Sequence, residues 1–64
     1  MNNEDTRLAF NNWLERNYKP QIKLVVRDIG IEYYYFAQWL NGKKNMSQEK
    51  LNLVNQFIQR KENE

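Results

Sequence analysis

The 64-residue chain contains no cysteine and no histidine. Without cysteine there is no disulfide framework and no thiolate metal site to brace the fold. Without histidine, the commonest metal ligand and the commonest general acid–base group are both missing. A hydrolase or transferase is not expected, and neither is a metal or other cofactor. No apolar run approaches the ~20 residues of a membrane span, and no hydrophobic signal segment follows Met1. The expectation is a soluble, cytoplasmic, non-enzymatic protein with no membrane partner and no small-molecule ligand. Proline occurs once and glycine twice, and the β-branched alternation of strands is missing. A chain this short buries only about 60% of its unfolded surface, which leaves room for one small domain over residues 1–64 and no deep cavity.

What is present is charge of both signs, unevenly placed. The net charge is +2. Residues 1–20 balance three basic against three acidic side chains, and residues 46–64 do the same. The excess therefore falls in the middle, where Lys23, Arg27, Lys43 and Lys44 face only Asp28 and Glu32. A basic middle segment is a weak pointer to nucleic acid.

Apolar residues recur at helical spacing in four segments. The first starts with Asp5 or Thr6 as its expected N-cap and carries Phe10, Trp13, Leu14 and Tyr18 on one stripe. Pro20 ends it and pushes Lys19 out of helical geometry. A short second helix runs from about Gln21 to Ile29, burying Ile22, Val25, Val26 and Ile29. Gly30 suits a residue that takes positive φ at a helix end. The third helix begins near Glu32 and stops at Asn41-Gly42. Ser47 caps a fourth helix to about Lys61, with Leu51, Val54 and Ile58 as core stripe and Leu53 and Phe57 beside it. The fold class is all-α: a compact four-helix bundle, or a five-helix one. Two helices joined tightly at Gly30 make residues 21–42 a central helix-turn-helix.

The third helix contains Tyr33-Tyr34-Tyr35, which cannot share one face. At ~100° per residue, with Tyr33 at zero, Phe36, Trp39 and Leu40 define a core stripe near ~290°. Tyr34, Gln38 and Asn41 then point outward, around ~110°. Tyr33 and Tyr35 fall on the flanks and should be half-buried. Gln and Asn side chains can pair with adenine, and a tyrosine can meet a thymine methyl or a phosphate. Lys43 and Lys44 follow where the helix end would approach a backbone strand. An exposed Gln and Asn are also ordinary on any solvated helix.

The stretch VVRDIGIEYYYFAQWLNGKKNMSQEKL resembles the helix-turn-helix DNA-binding domains of the phage repressor and Cro type, also called XRE-like or lambda-repressor-like. Val25-Val26, Gly30-Ile31, Phe36 and Trp39-Leu40-Asn41-Gly42-Lys43 match that frame without a gap. The resemblance covers residues 20–45 best. It implies a small transcriptional regulator of phage or bacterial type, with residues 32–41 as a recognition helix in the major groove. It further implies base reading by Tyr33, Tyr34 and Gln38. Phosphate contacts are implied at Gln21, Lys23, Asn41, Lys43 and Lys44. Three features depart from the family: Ile22 where a Gln is frequent, Glu32 in place of a small polar cap, and one long helix after Gly42. Glu32 could accept from a cytosine amino group or oppose phosphates.

The expected partner is double-stranded DNA. A homodimer on two half-sites ~34 Å apart would suit so short a reading helix. Leu53 and Phe57 are the candidates for its interface, and packing against the first helix is their alternative. The second functional class is a protein-interaction module on the same scaffold, such as a small phage or mobile-element protein that binds a host factor. Exposed tyrosine and acidic Glu32 suit that class as well.

Overall fold

The computed structural model describes residues 2–64, which form four helices and, among these residues, no strand. α1 spans Asn3–Arg16, α2 Ile22–Ile29, α3 Tyr33–Leu40 and α4 Gln48–Glu62. The 10.7 Å radius of gyration matches the ~11 Å of a close-packed chain of this length. α4 lies against both α1 and α2, and α3 packs on α2.

Local chemistry accounts for most helix ends. Asn2 caps α1 by accepting from the Asp5 amide at 2.7 Å, and Glu4 and Asp5 face the positive end of the helix. The cap is thus earlier than the expected Asp5 or Thr6. Thr6 is instead fully buried, its hydroxyl accepting from Asn55 at 3.5 Å. Gly30 ends α2 at φ 92° with its amide on the Val26 carbonyl, as its place in the sequence requires. Past α3, Gly42 takes φ 81°, its amide bonds the Trp39 carbonyl, and the Lys43 amide bonds the Gln38 carbonyl at 2.9 Å. That pair of bonds is a Schellman turn. Ser47 caps α4, as expected, through the Lys50 amide.

The core is built around five aromatic rings in series. Phe57 meets Trp13 edge-on at 5.0 Å, Trp13 stacks on Phe10 at 5.9 Å, Phe10 meets Phe36 at 5.1 Å, and Phe36 meets Trp39 at 5.2 Å. The series ties α4 to α1 and α1 to α3, and each contact adds about 0.5–1.5 kcal/mol beyond simple burial. Val25, Val26, Ile29, Leu51, Val54 and Ile58 fill in around it.

Two expectations need correcting. Tyr18 does not extend the α1 stripe, because the helix stops at Arg16 and Tyr18 sits at φ 62°, 95% exposed. The chain turns there, with the Lys19 amide on the Leu14 carbonyl at 2.8 Å, and a side chain in that turn cannot continue a helical stripe. Phe57 is not a surface residue. It is 1% exposed, because α4 serves two helices and needs a buried arc of ~120°, wide enough to take in Phe57. Phe57 therefore cannot serve as a dimer contact, and packing against Trp13 is its role. Leu53 is half-buried at the edge of the same arc.

Tyr18 holds a left-handed conformation that costs a side-chain-bearing residue about 1–2 kcal/mol and glycine little. Tyr18→Gly loses almost no packing and should raise unfolding stability by about 1 kcal/mol. A urea midpoint that falls or stays put would show that the turn carries no such strain.

Candidate nucleic-acid interface

The third helix begins with an unusual cap. Both carboxylate oxygens of Glu32 are in use, accepting from the Tyr34 amide at 3.1 Å and the Tyr35 amide at 2.8 Å. A carboxylate at a helix N-terminus satisfies free amides and meets the positive end of the helix dipole. The acid therefore caps α3 directly.

With the helix start fixed, its faces follow. Phe36 and Trp39 are fully buried, Ile31 is buried and Leu40 is half-buried against the core. Tyr34 is 65% exposed and Asn41 is exposed, as the helical rotation predicts. Gln38 departs from it. It is half-buried rather than fully outward, at the level where the Schellman turn brings Lys43 back to its carbonyl. Tyr35 is half-buried as expected, its hydroxyl donating to the Asn45 carbonyl at 3.3 Å. Tyr33 is more open than expected, at 43%.

The basic residues gather on this side. The Lys23 ammonium lies 5.5 Å from the centre of the Tyr33 ring. Those of Lys44 and Lys50 lie 5.8 and 5.7 Å from that of Tyr35. Lys43 and Gln21 are exposed at the two ends of the same helix-turn-helix unit. Among the described residues, none of Lys23, Lys43, Lys44 and Lys50 forms an ion pair. Lys50 gives no local signal in the sequence, since it sits in an evenly charged segment and reaches Tyr35 only through the fold.

Two residues of α1 position this surface, and neither is singled out by its spacing. The Asn3 side-chain oxygen accepts from the Trp39 indole at 2.9 Å and from the Met46 amide at 2.8 Å, and its nitrogen donates to the Met46 carbonyl at 3.3 Å. One helical turn on, Arg7 donates to the Trp39 carbonyl, to the Lys44 carbonyl at 2.7 Å and to the Asn45 side chain at 2.9 Å. Its guanidinium also lies 5.4 Å from the Trp39 ring centre. Together they fasten the end of α3 and the lysine-bearing loop to α1.

Set against models of known protein families, curated proteins and solved structures, the chain matches none. The chemistry of the residues themselves has to carry any functional reading.

Asn3→Ala strands the buried Trp39 indole N–H and should cost about 1–3 kcal/mol in chemical denaturation. Glu32→Ala should cost about 1 kcal/mol through its lost cap. An Asn3→Ala protein as stable as the parent would remove the claim that this joint holds α3.

Proposed function

We propose that the chain binds double-stranded DNA in a sequence-specific way, as a small transcriptional regulator with a repressor/Cro-type helix-turn-helix. The observation that carries the reading is the outer side of α3, where exposed Tyr34 and Asn41 and half-buried Gln38 lie between lysines that form no ion pair among the described residues. Amide side chains on a helix narrow enough for the major groove can read base edges, and unpaired ammonium groups beside it supply phosphate contacts. Tyr33, Tyr34 and Gln38 are the proposed base readers. Gln21, Lys23, Asn41, Lys43 and Lys44 are the proposed phosphate contacts. Glu32, with both oxygens held by backbone amides, is a structural cap in this reading rather than a cytosine reader.

A second reading, a protein-interaction module, is favoured by a different face. Leu24, 51% exposed, borders a shallow groove of about 290 Å³ that Trp13, Pro20, Val25 and Phe57 also line. A stoichiometric protein partner lost on Leu24→Glu but kept on Gln38→Ala, with no duplex retarded, would favour that reading over the first.

Selection from random duplexes at two salt concentrations tests the DNA reading. A recovered motif, with affinity that falls steeply as salt rises, is the expected result. Gln38→Ala should then cost about 1–3 kcal/mol at one base position, whereas Lys43→Ala should weaken all sequences alike. Unchanged sequence preference in Gln38→Ala would remove Gln38 from the groove.

A further inference from the structure

The three consecutive tyrosines have separate surroundings. Residues two apart on a helix are ~200° apart around its axis, so Tyr33 and Tyr35 stand on opposite flanks of α3. Tyr34 projects between them and is the most exposed of the three. Each flanking ring has ammonium groups over it, and none comes from α3 itself. Lys23 reaches Tyr33 from α2, while Lys44 reaches Tyr35 from the loop and Lys50 from the first turn of α4. The Tyr35 ring is held in place by partial burial and by its bond to Asn45.

A carboxylate partner would cancel the charge of a lysine. An aromatic face attracts the ammonium without neutralising it, and it restrains a side chain that otherwise loses much rotamer entropy on contact with a ligand. Of the nearby acids, Glu32 is committed to its two amides, and Glu49 makes no ion pair among the described residues. Each of the three lysines thus has an aromatic face beside it and, among the described residues, no ion pair. A helix with its side chains is about 10–12 Å across, and the major groove is ~12 Å wide between two phosphate strands. A cation on each flank of such a helix lies beside a different strand.

We infer that Tyr33 and Tyr35 are cation seats. They hold Lys23 against one phosphate strand and Lys44 with Lys50 against the other, while Tyr34 faces the bases between. The inference rests on the DNA-binding reading, adds Lys50 and Tyr35 to its residues, and moves Tyr33 from reading a base to seating Lys23.

The test uses the selected duplex, the full chain and the variants Tyr35→Leu, Tyr35→Phe, Tyr33→Leu, Lys23→Ala and Lys50→Ala. Each lysine deletion should make the slope of log affinity against log salt shallower by about 0.9. Tyr35→Leu should lower it by up to about 1.8, and Tyr35→Phe, which keeps the ring face, should restore the parent value. Replacing single phosphates by neutral methylphosphonates should map Lys23 to one strand and Lys50 to the other. In the free protein, the ring-shifted ε-methylene proton signals of Lys44 and Lys50 should persist in Tyr35→Phe and vanish in Tyr35→Leu. Binding with slopes unaltered in both tyrosine-to-leucine variants, or both lysines mapping to one strand, overturns this inference and leaves the DNA reading standing. A parent protein that retards no duplex overturns both.

Discussion

The Trp39 indole has no exposed surface, so its N–H needs an acceptor inside the protein, and Asn3 provides one. Leaving such a donor unpaired costs about as much as a large share of the stability available to a small domain. The same Asn3 amide also binds the Met46 backbone, and Arg7 takes the Trp39 carbonyl and the loop beyond it. One polar joint therefore fixes where α1 starts, where α3 ends and how residues 41–46 cross between them. The aromatic series running from Trp39 to Phe57 carries that placement through the core to α4. The surface proposed to read DNA is the outer side of a helix whose inner side is this joint.

Local and tertiary signals divide cleanly along the chain. The number of helices, the Gly30 and Gly42 turns, the Ser47 cap and the core face of α3 were legible, because each depends on spacing or on one residue's backbone preference. The start of α1 was not. Asn2, Asn3, Asp5 and Thr6 are all competent caps, and the contact that selects among them joins positions 43 apart in sequence. Tyr18 continues an apolar period past the point where its backbone has left the helix. Phe57 followed the alternative of packing against the first helix, and its depth comes from α4 packing on two helices. The outward direction of Tyr34 and Asn41 was legible. The half-burial of Gln38 was not, since it accompanies a turn that folds back on α3.

Glu32 shows how one residue can look hostile to a function and still serve it. As a charge in the sequence it lowers the positive balance of the middle segment. In the fold its two oxygens bond the first amides of α3, although the side chain stays exposed. A neutral cap would leave those amides with a weaker partner. The acid thus orders the first turn of α3, and among the described residues the lysines beside it form no ion pair.

In the proposed reading, the lysines give the boundary tyrosines a use beyond packing. Five rings, Phe10, Trp13, Phe36, Trp39 and Phe57, are fully or almost fully buried and supply much of the apolar area of a 64-residue chain. Tyr35 stands at the boundary, resting on the core with one edge and offering a face to a cation with the other, while Tyr33 is more open. That double use ties surface charge to the core without a carboxylate. The net charge is only +2, because ten basic side chains are balanced by eight acidic ones. Holding three lysines on aromatic faces beside one short helix concentrates positive charge where a duplex would lie.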